Sequence, residues 1–284
     1  MRYTSTRSLF NQIRNEIKPI YGDEADTLAM FIVEDVSGFS STDILTDHKF
    51  QTGPSFRSTI LKYIVQLKKQ EPIQYILGKA FFYENIYEVN EDTLIPRPET
   101  EELVRLALDY MDSNNSNFVL DIGTGTGCIA ITLALNNSKA VVEAMDISLS
   151  ALKVAERNAQ KLNADITFIH ADILSFEANK EYDLIISNPP YVRESEKLTM
   201  SINVLNHEPG IALFVDDDDP LIFYRNITDF CDKGLKPGGS VFYEVNDHFA
   251  TAIASMLRTS GFNKVEVVKD LNGKDRFVYG VKGI

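Results

Sequence analysis

The sequence predicts an α/β fold in three parts: a small N-terminal helical bundle over residues 1–79, a β-hairpin linker over 80–95, and a domain built on a parallel sheet over 96–284. Three observations predict it. Apolar residues recur at helical spacing up to about Gly78. A short aromatic and β-branched stretch follows. From Phe118 onward, buried strands alternate with helices, the pattern of a sheet covered on both faces.

In the first part, Leu9, Ile13, Ile17 and Ile20 recur at helical spacing. Asp23 stands at the N-cap of a second helix carrying Leu28, Phe31, Ile32 and Val36, and Gly38 ends it. Ser55 stands at the cap of a third, with Ile60, Leu61, Ile64, Val65 and Leu67 on its apolar side. Pro72 opens a short turn from Ile73 to Leu77, closed by Gly78. Such a bundle suits either a structural cap or a substrate-recognition domain, and the second is the expectation carried forward. Next, Phe81, Phe82 and Tyr83 are separated by Glu84-Asn85 from Ile86, Tyr87 and Val89, which predicts a hairpin. Pro98 suits the first position of a helix, and Glu99, Glu101 and Glu102 suit its positive end.

In the third part, strands are expected at Phe118–Ile122, Val141–Asp146, Ile166–His170, Tyr182–Ser187 and Ser240–Val245. Helices are expected after Gly127 through Leu135, from Ala151 to Leu162, and from Phe249 to Ser260. Val265–Val268 and Arg276–Val281 form a terminal pair that adds an antiparallel strand. Asp216–Asp219, ahead of Pro220, is a solvated turn.

Composition narrows the function. The formal net charge is −13, whereas a grip on nucleic-acid backbone needs clustered Lys and Arg, so no direct nucleic-acid contact is expected. The two cysteines, Cys128 and Cys231, form no disulfide framework, and the scattered histidines give no metal-ligand spacing, so no metal is expected. The first residues lack an apolar signal segment, and no apolar run reaches the ~18 residues of a membrane span. A reducing cytoplasm, no membrane association and a monomer are the expectations.

The first chemical motif is Asp121-Ile122-Gly123-Thr124-Gly125-Thr126-Gly127, directly after a strand. Its glycines permit a tight turn and close approach of a ligand. Its G-x-G-x-G spacing is not the G-x-G-x-x-G that cradles a dinucleotide pyrophosphate. It suits S-adenosylmethionine, which offers a ribose, an adenine and an amino-acid tail instead. Asp146 ends the second strand about 20 positions further on, the offset at which a carboxylate accepts from ribose hydroxyls. The alternative for Asp146 is a helix N-cap, a role open to Ser148. Asp172 follows the third strand, where it can accept from an adenine amino group while Ile173 packs on the ring. An ordinary loop aspartate is the alternative there.

Asn188-Pro189-Pro190-Tyr191, at the end of the fourth strand, decides the chemistry. Two prolines stiffen the loop and pre-aim its carbonyls. The Asn188 side-chain oxygen and the Pro189 carbonyl each accept one N–H of a planar NH2 group, and Tyr191 offers a flat apolar face. Holding both N–H bonds leaves the nitrogen lone pair free for a methyl sulfonium. An amide nitrogen is a weak nucleophile, so orientation and electrostatics must supply most of the rate.

With these residues together, the chain resembles the protein-(glutamine-N5) methyltransferases that modify peptide chain release factors. The resemblance runs from about Glu71 to Val281. It rests on Glu71 to Gly78, Leu94-Ile95-Pro96-Arg97-Pro98-Glu99-Thr100-Glu101, the Gly123–Gly127 loop and Asn188–Tyr191. His207-Glu208-Pro209, Ala212-Leu213 and Asp270 to Arg276 extend it. It implies a Rossmann-like S-adenosylmethionine-dependent domain behind a five-helix N-terminal domain and a hairpin linker. It implies transfer of a methyl group to N5 of the glutamine in the Gly-Gly-Gln loop of class-1 release factors, modulating translation termination and leaving S-adenosylhomocysteine. Carried over by residue, Gly123, Thr124, Gly125, Thr126 and Gly127 contact the cofactor, Asp146 takes its ribose, and Asp172 and Ile173 flank its adenine. Asn188, Pro189, Pro190 and Tyr191 form the catalytic, substrate-holding loop, with Asn188 also beside the cofactor, and Pro96 and Arg97 border the pocket. Two departures touch the surface and substrate contacts. Phe214 to Pro220 replaces a glycine-rich stretch, and His207 stands where an aromatic residue is usual.

Two other readings compete. A nucleic-acid amino-methyltransferase would use the same Asn188 loop on an exocyclic amine, but the acidity weighs against it. A silent binding module on this fold is opposed by the intact Gly123 and Asn188 loops.

Overall fold

The computed structural model describes residues 2–283, which divide into two compact units: residues 2–78 with Ser201–His207, and Lys79–Met200 with residues 208–283.

The first unit runs β1 (Arg2–Ser5), α1 (Thr6–Tyr21), α2 (Glu24–Ser37), α3 (Ser41–Leu45), β2 (Lys49–Thr52), α4 (Phe56–Lys68) and α5 (Ile73–Leu77). Leu9, Ile13 and Ile17 of α1 share one core with Ile32 and Val33 of α2 and with Ile60, Ile64 and Leu67 of α4. Gly38 and Gly78 end their helices at φ 71° and 68°, a left-handed conformation that costs glycine little. Four apolar residues expected on the buried faces, Ile20, Phe31, Leu61 and Val65, are 41–53% exposed. Each neighbours the buried stripe, and the apolar runs are wider than the face that the bundle covers. Asp23 and Ser55 do hold the N-cap positions but make no side-chain capping bond. Both have helical backbone angles there, whereas a capping side chain needs an extended one. The antiparallel β1–β2 pair was not anticipated: three helices separate its strands, so no turn joins them for the sequence to mark.

The second unit opens with the hairpin β3 (Lys79–Phe82) and β4 (Asn85–Glu88). Tyr83 and Glu84 form its two-residue turn at φ 44° and 68°. Next come α6 (Pro98–Asn114), with Pro98 in its first turn, β5 (Phe118–Ile122), α7 (Cys128–Asn136), β6 (Val141–Asp146), α8 (Leu149–Leu162), β7 (Ile166–His170), β8 (Tyr182–Ser187) and β9 (Val192–Arg193). The short α9 (Ile202–His207) belongs to the first unit. The chain continues with β10 (Phe214–Val215), α10 (Ile222–Gly234), β11 (Leu235–Glu244), α11 (Ala250–Thr259), β12 (Phe262–Lys269) and β13 (Asp275–Lys282).

Seven strands form one sheet in the order β12-β13-β11-β8-β5-β6-β7. From β11 to β7 all neighbours are parallel, and β13 runs antiparallel to both β11 and β12. The α/β fold expected from the sequence is therefore present, with the terminal hairpin at one edge. Alternate strand residues point to opposite faces. Val119, Leu184, Ile186 and Phe242 pack on the face that α6 and α7 cover, and Leu120, Ile185, Val241 and Tyr243 on the face that α10 and α11 cover. Cover on both faces is why these strands read as nearly continuous apolar runs. Two features depart from the expected elements. Strand β11 starts at Leu235 rather than Ser240, with an irregular stretch between them, where a Cβ on Gly239 would lie 2.9 Å from the Asp183 carbonyl. Helix α10 and the parallel β9–β10 pair have no counterpart in the sequence expectations. Asp216–Asp219 is a turn as expected, and Asp219 accepts two hydrogen bonds from the exposed Arg225 guanidinium. Among the described residues, no helix is long and apolar enough to cross a membrane.

The hairpin clusters with this unit, and Asn158 of α8 holds it. The fully buried Asn158 accepts from Glu88 N–H (2.7 Å) and donates to the carbonyls of Glu88 (3.0 Å) and Thr126 (3.0 Å). One amide thus ties strand β4 to the glycine loop. Replacing Asn158 by Ala strands the half-buried Glu88 N–H and carbonyl and the Thr126 carbonyl, and a buried group left so costs about 1–3 kcal/mol. Asn158→Ala is expected to lower stability by about 3 kcal/mol in urea unfolding, most of it from those groups. A change within the scatter of surface substitutions would show that water satisfies them.

Candidate active site

Strand β5 pairs with β8 on one side and β6 on the other, so the strand order reverses at β5. The loops leaving the C-terminal ends of β5 and β6 therefore part, and a crevice opens between them. A cavity of about 300 Å³ lies there, walled by the ends of β5, β6, β7 and β8. Its volume is at the lower end of what a nucleoside-sized ligand occupies.

The glycine loop forms one wall. Gly123 and Thr124 donate their N–H groups to the Met145 carbonyl, at 2.8 and 3.0 Å, which folds the loop back over β6. Gly123, Gly125 and Gly127 all have positive φ. At Gly127 space is also limiting, since a Cβ would lie 2.9 Å from Ile131 Cδ1 and 3.1 Å from Ala155 Cβ. Gly123 and Gly125 line the cavity, but Thr124, Thr126 and Gly127 do not. The threonines are buried, and Thr124 Oγ1 donates to Asp121 at 2.6 Å. Those three residues shape the loop from behind.

Asp146 lines the cavity with its carboxylate already oriented. Oδ2 accepts from Gly125 N–H (2.8 Å) and Oδ1 from Ser148 N–H (2.9 Å). Burial raises its pKa, and the backbone N–H groups of Ser148 and Gly125 oppose that shift. The capping role at α8 falls to Ser148, which accepts from Ala151 N–H. Asp172 and Ile173 also line the cavity, and Asp172 Oδ1 accepts from Leu174 N–H, closing its own turn.

Asn188, Pro189 and Pro190 line the same cavity on the side of β8. Tyr191 does not. It lines a smaller cavity of about 50 Å³ next to it, which shares Leu94, Asn188, Pro189 and Ala212 with the larger one. Arg97 also faces the smaller cavity, while Pro96 borders neither. Glu208, its side chain 1% exposed, accepts from Arg97 Nη2 at 2.6 Å and from Ile95 N–H at 3.1 Å. This pair fastens the Ile95–Pro98 segment beside the cavities. Burial and the negative charge of Glu244 both push the Tyr191 phenol up, so Tyr191 keeps its proton and offers an aromatic ring rather than a base.

Sequence reasoning missed several residues here. Thr93 and Leu94 come from the hairpin's exit, and Phe223 and Ile227 from the unforeseen α10. Asp121, the first residue of the glycine motif, has a place that the motif's spacing does not disclose. It is fully buried beneath the loop, with Oδ2 bonded to Thr124 and Ala130 and Oδ1 without a hydrogen bond. An acidic residue opening a glycine loop was the signal that could have singled it out.

A Rossmann-like sheet with its cavity at the switch point, closed by a stiff Asn-Pro-Pro-Tyr loop, is the architecture of an S-adenosylmethionine-dependent methyltransferase. Residues 101–208 match the Methyltransferase small domain family, and residues 8–78 match the PrmC N-terminal domain family. The chain belongs to the release factor glutamine methyltransferases. It is 41% identical to the release factor glutamine methyltransferase of Bacteroides thetaiotaomicron, an alignment covering 94% of this chain and 96% of that one. It is 46% identical to that of Flavobacterium psychrophilum over 76% of this chain and 77% of the other. A solved protein-(glutamine-N5) methyltransferase (release factor-specific) from Alicyclobacillus acidocaldarius is 30% identical, covering 70% of this chain and 100% of that one, with a TM-score of 0.43.

Burial pushes the Asp121 carboxyl up to about 7, with its bonds from Thr124 and Ala130 opposing the shift. The folded chain therefore keeps a proton that the unfolded chain releases near its ordinary value of 3.8. Folding stability should fall as pH rises from about 4 to about 7, and Asp121 alone accounts for up to about 4 kcal/mol of that fall. Urea unfolding across this range should show the slope in the wild-type protein and lose much of it in Asp121→Asn. Parallel pH profiles would mean that the carboxyl is not perturbed.

Proposed function

We propose that this chain transfers a methyl group from S-adenosylmethionine to the side-chain amide nitrogen, N5, of the glutamine in the Gly-Gly-Gln loop of class-1 peptide chain release factors. The observation that carries this reading is the junction of the two cavities. One residue, Asn188, and the carbonyl-bearing Pro189 wall both, so a ligand in each would meet at that loop.

The residues fit the cofactor. Asp146 is an oriented carboxylate at the cavity wall, suited to ribose hydroxyls. Gly123 and Gly125 let a ligand approach the backbone closely, and Asp172 with Ile173 suits an adenine. When bound, S-adenosylmethionine supplies an electrophilic methyl group on a sulfonium. The chain's own residues do the rest. The Asn188 Oδ1 and the Pro189 carbonyl each accept one N–H of the glutamine carboxamide, which fixes its plane. The Tyr191 ring packs against that plane, and the prolines keep the acceptors from relaxing. Fixed acceptors of this kind favour positive charge developing on the nitrogen without reorganising. The first unit is proposed to dock the release factor, the protein as a monomer in the cytoplasm, with no nucleic acid required.

Tritium transfer from labelled S-adenosylmethionine tests the reading directly. Purified unmethylated release factor, its Gly-Gly-Gln to Gly-Gly-Asn variant and total RNA would be offered side by side. Label is expected on the wild-type factor alone, and label on RNA would move the same loop to a nucleic-acid substrate. Asn188→Ala should cut turnover by about 100-fold or more while cofactor affinity stays near wild type. Near-normal turnover would remove Asn188 from the substrate site. Asp146→Ala should weaken cofactor binding by about 100-fold in calorimetry, through loss of charge-assisted hydrogen bonds. Unchanged affinity would take Asp146 out of the ribose site.

A further inference from the structure

An asparagine amide serves as an acceptor only if it is turned the right way. Rotating it by half a turn exchanges the oxygen for an NH2 group, and its own shape does not choose between the two. At Asn188 the choice is made by neighbours. Asn188 Nδ2 donates to Thr100 Oγ1 at 3.2 Å, and Thr100 Oγ1 donates to Glu244 Oε2 at 2.7 Å. The Thr100 hydroxyl has one O–H, and it is donated to the Glu244 carboxylate. Its oxygen can then only accept from Asn188, which leaves Asn188 Nδ2 facing Thr100 and Oδ1 facing away. The other oxygen of the same carboxylate, Glu244 Oε1, accepts from Tyr191 OH at 3.2 Å. Thr100 and Glu244 are buried at 3% and 1% exposure, and neither lines either cavity.

We infer that Thr100, anchored by Glu244, is a positioning residue that holds Asn188 in the one amide orientation able to accept a substrate N–H. The inference rests on the proposed role of Asn188 as the holder of the glutamine amide. It gives the Pro98–Glu101 segment a task beyond starting a helix. Thr100 lies in the first turn of α6, Glu244 ends β11, and Asn188 and Tyr191 follow β8. Three separate elements thus converge on one carboxylate, and both working side chains of the loop are aimed from it.

Thr100→Val keeps the shape and removes both donor and acceptor, whereas Thr100→Ser keeps the hydroxyl. On release factor, Thr100→Val is expected to lose about 100-fold in kcat, with the KM for S-adenosylmethionine and its calorimetric affinity unchanged. Thr100→Ser should recover most of the loss. A merely structural role would give a loss that tracks thermal stability and spares neither parameter. The second readout needs no substrate. The Asn188 NH2 protons, identified by their loss in Asn188→Asp, should exchange slowly with solvent in the wild-type and Thr100→Ser proteins and rapidly in Thr100→Val. Equal exchange in all three would overturn the inference, as would wild-type kcat in Thr100→Val or an equal loss in Thr100→Ser. If the wild-type protein labels no release factor, the proposed substrate fails, and the exchange measurement still decides the relay.

Discussion

Strand β5 is the constraint on which the second unit depends. It pairs in parallel with β8 on one side and with β6 on the other, and its own residues are buried apart from Phe118, which is half-buried. Parallel pairing on both sides sends the following helices to different parts of the sheet, so the backbone must leave the end of β5 in a tight turn. The glycine loop is that turn. Two of its N–H groups close on the Met145 carbonyl, and a third, at Gly125, closes on Asp146 at the end of β6. Ser187 Oγ donates to the Ile122 carbonyl at 2.7 Å, locking the end of β8 to that of β5 just before Asn188. The cavity is therefore not carved out by loops; it is the gap that remains when four parallel strands end together and their exits diverge.

Three deeply buried carboxyl groups stand beside the site. Asp121, Glu208 and Glu244 are nearly inaccessible, and each loses the hydration a carboxylate would have in water. Their compensation differs. Glu208 has the Arg97 guanidinium and a backbone N–H. Glu244 accepts two hydroxyl protons with the Arg276 charge nearby, yet burial still raises its pKa. Asp121 keeps one oxygen unbonded. Apolar residues in these places would be the cheaper choice for stability alone. Each carboxylate instead fixes a segment that borders a cavity: the glycine loop, the Ile95–Pro98 segment or the Asn188 loop.

How far the sequence could be read follows from the range of the interactions involved. The strands from β5 to β8 were legible because two-sided burial writes itself as apolar runs, and the glycine loop because a backbone conformation selects its residue type. The place of the Asn-Pro-Pro-Tyr loop was legible because the apolar strand before it was. The pairs β1–β2 and β9–β10 join short strands with helices between them in the chain, so no hairpin turn marks them. Thr100 and Glu244 were illegible as a pair for another reason. They lie 144 positions apart, and a threonine in a helix's first turn or a glutamate at a strand's end has an ordinary surface explanation. Only the fold brings them together. The same holds for Asp23 and Ser55, where the residue type suggested a cap but the backbone angles withheld it.

What the site lacks bears on the chemistry as much as what it holds. Among the described residues lining the smaller cavity, only Arg97 and Tyr191 are ionisable. Arg97 is engaged by Glu208, and Tyr191 is held in its protonated form by burial and by Glu244. Neither is suited to remove a proton from a neutral nitrogen. Under the proposed reading this is a consistent arrangement. An amide N–H is too weakly acidic to be worth deprotonating first, and a base strong enough to do so would not stay unprotonated near neutral pH. Two fixed carbonyl acceptors act differently: they strengthen their hold as the nitrogen gains positive charge, and the methylated nitrogen, now far more acidic, releases its proton to water after the transfer. A site built this way depends on the direction of one amide group more than on any titration, so its accuracy passes to the groups that set that direction.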